Sequence, residues 1–171
     1  GTFDIFNIVS PRQIKDGILY FGSKANFEHL TWHEFSHSFV NPLGERHRKE
    51  LEKYASLMEP IRSKMSSSAY GNWITTVNEH VVRAVTTRLN YLHKGKEDGD
   101  RVLLGEKTYG FAYVEALCKK LEHYEENRNK YPTFTSFYPQ LVDTFKVLSE
   151  KDLGSDFYHI PFSGTINAVS V

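Results

Sequence analysis

Cysteine is nearly missing: Cys118 is the one cysteine in 171 residues. That excludes an internal disulfide and any zinc site built on thiolates. Its surroundings follow a helical pattern, so Cys118 is expected to be buried and inert. No apolar run approaches 18 residues, so no segment is expected to span a membrane. Neither sign of charge is in excess, because 21 Lys and Arg balance 21 Asp and Glu. A sequence-independent grip on nucleic acid is therefore not expected. Internal repeats and low-complexity tracts are lacking too. An initiator Met is missing before Gly1-Thr2-Phe3, so we expect a trimmed or processed chain. Removal of a signal peptide would place it outside the cell or in the cell envelope; the residues themselves give no location.

What remains is ordinary globular material, 40% hydrophobic and 25% charged. That is enough for one core in a single domain spanning residues 1–171. Phe3–Val9 alternates loosely and Gly17–Gly22 is a short apolar run between glycines; both read as strands. Helices follow. One is expected over Glu45–Met65, kinked or split by Pro60, and a strong one over Trp73–His93. Lys94–Asp100 reads as a polar, mobile loop, and its two aspartates lack the spacing of a calcium loop. Further helices are expected over Glu106–Arg128 and Phe137–Glu150, with Pro139 in the first turn of the latter. The apolar tail, Phe157–Val171, suggests a late strand. The class is α+β: a small N-terminal sheet, then a mainly helical body.

One stretch carries chemistry: His33-Glu34-Phe35-Ser36-His37. On a helix, residues four apart share a face, so both imidazoles reach one metal ion. Glu34 lies between them, where its carboxylate can meet a water on that metal. This is the H-E-x-x-H arrangement of zinc peptidases. Ser23 is a cap candidate for the helix. Phe27, Leu30, Trp32, Phe35 and Phe39 offer apolar surface for burial. Asn41-Pro42 is expected to stop the helix after about four turns. His29, four residues before His33, offers a competing pair that lacks a correctly placed Glu. His47, His93, His123 and His159 are read as solvent-facing or structural.

A catalytic zinc needs a third protein ligand. A third His shortly after the pair fails, because residues 40 and 43 are Val and Leu. A Glu from a second helix is the other common solution. Glu79 sits in the middle of Trp73–His93, where a buried carboxylate needs a partner. Arg83, four residues on, is an alternative partner, and would make the pair an ordinary helix ion pair.

His33-Glu34-Phe35-Ser36-His37 together with Asn78-Glu79 resembles the gluzincins, the thermolysin-like and aminopeptidase-like branch of zinc peptidases. The longer stretch Trp32–Pro42 also looks like a group of uncharacterised bacterial zincin-like domains. The likeness implies a zincin-like fold with the metal between two helices. It also implies one Zn²⁺ on His33, His37 and Glu79, Glu34 as general base, and a peptide or protein substrate. Forty-one residues separate His37 from Glu79, more than in familiar members, so Glu45–Met65 would be an insertion. In such folds a sheet edge runs along the substrate, and Ile18–Phe21 is the candidate edge.

Oxyanion donors are sought among Tyr109, Tyr113, His80 and Arg83, with Tyr109 leading because it follows the expected loop. His80 is turned roughly 100° from Glu79 on an ideal helix, which weakens its claim. Three other readings stand beside a peptidase. One is an idle zincin fold that binds a peptide, glycan or protein. Another is a hydrolase for a different amide or ester. The third is a helical interaction domain with an accidental motif.

Overall fold

The computed structural model describes residues 9–68 and 70–150. The expected strand at Phe3–Val9 lies almost wholly outside them, and the tail strand and His159 lie outside them altogether. The described chain is α+β: a two-stranded antiparallel hairpin followed by helices.

The hairpin pairs β1 (Gln13–Lys15) with β2 (Ile18–Tyr20), Ile14 opposite Leu19. Asp16 and Gly17 join them with φ of 52° and 76°, the two left-handed residues a tight two-residue turn demands. β2 falls within the expected Gly17–Gly22 run. β1 is unforeseen, because Gln13-Ile14-Lys15 holds a single apolar residue. All six strand residues are exposed.

α1 (Lys24–Arg46) starts where the cap predicts, the Ser23 hydroxyl accepting from the Asn26 N–H at 3.2 Å. It does not stop at Asn41: Pro42 lies inside it. Proline costs a helix interior roughly 3 kcal/mol. Here Val40, Leu43 and Gly44 are buried on both sides of it, and that burial holds the extra turn. The buried stripe is Ser36, Val40, Leu43 and Gly44, so Phe27, Phe35 and Phe39 are left exposed rather than buried as expected.

The expected helix over Glu45–Met65 is broken into three pieces. These are α2 (Arg48–Leu51), a 3₁₀ segment (Glu52–Ile61) and α3 (Arg62–Ser67). Pro60 lies at the end of the 3₁₀ segment, and Tyr54 within it departs from helical geometry. Leu51, Leu57, Met58, Ile61 and Met65 are nevertheless buried. Two long-range hydrogen bonds fasten this segment. The Trp73 indole N–H donates to Leu51 O at 2.8 Å, and the Tyr113 hydroxyl to Leu57 O at 2.6 Å.

α4 (Trp73–Lys94) is the central helix, packed on α1, α5 (Lys96–Tyr109) and α6 (Val114–Glu126). Asn72 caps it, accepting from Thr75 N–H at 2.9 Å. Val77, Val81, Val82 and Ala84 are wholly buried, whereas Leu92 near the end of the helix is exposed.

The segment Lys94–Asp100 is not a loop: only Gly95 separates α4 from α5. Glu97 and Asp98 complement the first turn of α5, and Gly99 admits the Tyr91 ring against its backbone. The helix expected over Glu106–Arg128 is two, broken at Gly110, whose φ of 104° needs glycine. α7 (Phe134–Glu150) begins before Phe137, because Thr133 and Ser136 cap it reciprocally. Pro139 therefore lies inside α7, beyond its first turn. Trp73, Tyr113 and Phe145 meet edge to face in the core. Among the described residues no helix is long and apolar enough to cross a membrane.

Candidate metal centre

The middle of α1 presents His33 and His37 on one face, one turn apart, and α4 lies across it with Glu79. The Nε2 atoms of His33 and His37 are 3.3 Å apart. Glu79 Oε1 is 3.5 Å from His37 Nε2, and Oε2 is 3.7 Å from His33 Nε2. Among the described residues this is the group of three whose donor atoms converge as metal ligands would, all within 4.8 Å of one another. Glu79 is buried, and both histidines are partly so.

The helices are held at this separation by close packing. Gly44 on α1 lies directly against the Asn78 side chain on α4, leaving no room for a Cβ. The Asn78 carbonyl is itself buried without a hydrogen-bond partner. Asn41, expected as a stop signal, lies within α1 and faces His37 instead. Its Oδ1 is 3.2 Å from His37 Nδ1. With Nδ1–H donated to Asn41, Nε2 of the protonated ring donates to Glu79, and Nε2 of the neutral ring is left as a lone pair for a cation.

The electrostatics follow from this crowding. Burial pushes the Glu79 carboxyl up, but hydrogen bonds with His33 and His37 and the Arg83 charge hold it well below the usual carboxylate range. The same Glu79 hydrogen bond raises His37 against the opposing effect of burial, helped by the Asn41 hydrogen bond and the charges of Glu79 and Glu34. Glu34 is half-buried. Burial, and then the neighbouring His33, lower His29. His29 stands outside the triad.

Glu79 also has the helix partner the spacing suggested. Arg83 Nε donates to Glu79 Oε2 at 3.2 Å, while its Nη1 donates to Glu106 Oε2 on α5 at 2.7 Å. The guanidinium lies 3.9 Å over the Phe111 ring. Both carboxylates are buried, so this is an internal bridge rather than a surface pair. Glu106 carried no signal in the sequence, since only the α4–α5 packing brings it to Arg83. Tyr70 was missed as well. Its phenol interacts with both Arg83 and Glu79, and burial raises it.

The proposed oxyanion donors are scattered. Tyr109 and Tyr113 do not share a helical face, because Gly110 breaks the helix between them. Tyr109 is 72% exposed at the end of α5, on the wall of a groove shared with His29 and Arg83. Tyr113 is buried and spends its hydroxyl on Leu57. His80 is wholly buried, its Nδ1 donating to Thr76 O at 2.7 Å, and burial lowers it to about 4. It is a neutral core residue packed between Phe111 and Tyr113. His47, His93 and His123 lie against Tyr138, Trp32 and Tyr131 respectively, as structural histidines do. Cys118 is buried with its thiol 3.6 Å from Ala84 O.

No curated protein and no solved structure matches the chain. A family model does, over residues 1–144, a span that takes in the hairpin, both helices of the triad and most of α7. The chain belongs to the family described as Domain of unknown function (DUF4932).

Proposed function

We propose that the protein is a zinc-dependent hydrolase, with peptides as its substrate class, built on a zincin-like pairing of α1 and α4. The observation that carries this reading is the convergence of His33, His37 and Glu79 beside Glu34. Ligand atoms about 2.0–2.1 Å from a tetrahedral zinc lie roughly 3.3–3.4 Å apart. The 3.3 Å between the two imidazole nitrogens suits that geometry, and each Glu79 oxygen stands 3.5 or 3.7 Å from one of them. Two imidazoles and one carboxylate also suit a catalytic rather than a structural zinc, because they leave a coordination position open.

A bound zinc would supply Lewis acidity to a carbonyl and lower the pKa of a water. The rest falls to the chain. Asn41 fixes the tautomer of His37, and Arg83 orients the Glu79 carboxylate. Glu34 takes a proton from the attacking water and delivers it to the leaving nitrogen. Either Tyr109, from the groove, or Tyr70, from beside Glu79, supplies the hydroxyl donor for the developing oxyanion.

Zinc content by mass spectrometry, with turnover of a peptide library, tests the reading in wild type, Glu34→Gln and Glu79→Ala. About one zinc is expected in wild type and Glu34→Gln, with marked loss in Glu79→Ala and turnover in wild type alone. No zinc in wild type after incubation with excess metal overturns the hydrolase. Zinc without turnover in wild type points instead to an idle fold that binds its partner.

A further inference from the structure

Beside the triad runs an open groove of about 620 Å³ between the hairpin end, α1, α4 and α5. Its wall continues the metal face, since His29 is one helical turn before His33 and Arg83 holds Glu79. Four cationic side chains line it, Arg12, Arg83, Lys94 and Arg101, against one lining carboxylate, Glu106. Glu79, Glu28 and Asp98 pair with three of these cations.

These charges differ in how firmly they are committed. Arg83 is fully engaged by Glu79 and Glu106. Lys94 reaches Glu28 at 2.9 Å and lies over the Trp32 ring, but Glu28 is 40% exposed. Arg101 pairs with Asp98 on the same exposed turn of α5. Such solvent-facing pairs contribute little and exchange partners readily. Arg12 has no carboxylate partner among the described residues. Phe21, Leu30 and Val102 add apolar surface between the cations. A ligand with a short aliphatic stem and an anionic tip fits this lining.

We infer that this groove seats a carboxylate of the substrate peptide close to the scissile bond, making the protein selective for acidic peptides. The inference rests on the peptide-hydrolase reading of the adjoining triad. Arg12 and Arg101 would meet the carboxylate, with the apolar residues against its stem. Two sources offer that chemistry: an Asp or Glu side chain, or a free C-terminus.

The test separates binding from turnover. Fluorescence anisotropy with zinc-loaded Glu34→Gln protein compares labelled peptide pools containing Glu with matched pools containing Gln, each as C-terminal acid and amide. The acidic pools are expected to bind about tenfold more tightly at low salt, with the advantage shrinking as salt rises. Dependence on the internal Glu assigns the side chain, and dependence on the terminal acid assigns the C-terminus. Arg12→Glu and Arg101→Glu should invert the preference toward Lys-containing pools, a result that mere loosening of the fold would not produce. Equal affinity for Glu and Gln pools with either terminus overturns the inference, as does tighter binding of a single-stranded oligonucleotide than of any peptide. Turnover by the wild type decides the hydrolase separately.

Discussion

The Asn78 side chain occupies the space that a Cβ would need at Gly44. This contact joins α1 and α4 one turn beyond Val40, and it fixes how closely the histidine face approaches Glu79. Gly44→Ala gains a little helix propensity but must displace a buried side chain. Overpacking of this kind costs about 1–3 kcal/mol. Chemical denaturation should show a loss in that range, and zinc titration a weaker site. Unchanged stability would mean that the helix pair yields freely here.

Removing the guanidinium between Glu79 and Glu106 leaves two buried carboxylates without their cation. Arg83→Gln should destabilise the metal-free protein by about 3 kcal/mol in urea. Added zinc should restore part of this loss, because the metal would then neutralise Glu79. No rescue by zinc would count against Glu79 as a ligand.

Two phenols stand near the chemistry in different ways, Tyr109 on the groove wall and Tyr70 against Glu79 and Arg83. Tyr109→Phe and Tyr70→Phe each delete a single hydroxyl. The one that serves the oxyanion should lose about 10²–10³ in kcat with zinc retained. Its counterpart should change kcat less than about threefold. Equal small effects would exclude both.

Burial pushes the Cys118 thiol up to about 12. Native protein should therefore resist iodoacetamide at pH 8, while urea-unfolded protein reacts at once. The sign of the linked stability follows. The unfolded thiol loses its proton from about pH 8.5 upward, and the folded one holds it to about 12. The unfolded state then binds fewer protons, so this thiol's contribution to stability is full below pH 8.5 and falls as pH rises toward 12. Fast native alkylation would contradict the burial.

Local signals carried much of the fold and the centre of the site. The helix expected over Trp73–His93 announced itself through its apolar periodicity, and H-E-x-x-H needs only helical spacing to bring two imidazoles together. Other features depended on residues far away in the chain. α1 runs through Pro42 because Leu43 and Gly44 are buried, which no local rule registers. The polar stretch after Lys94 is helical because Gly99 lets the Tyr91 ring close over it. The break at Gly110 has a local signal, a glycine, but strong helix formers on both sides outweigh it. Asp16-Gly17 was likewise a hairpin signal, masked by polar strand residues. Glu106 and Tyr70 join the site through packing alone.

The Arg83 guanidinium belongs to two places at once. One nitrogen steadies Glu79, another holds Glu106, and its side chain forms part of the groove wall. A shift of α5 therefore reaches the triad through a single rigid plane. A substitution that moves this wall also moves the carboxylate beside the histidines.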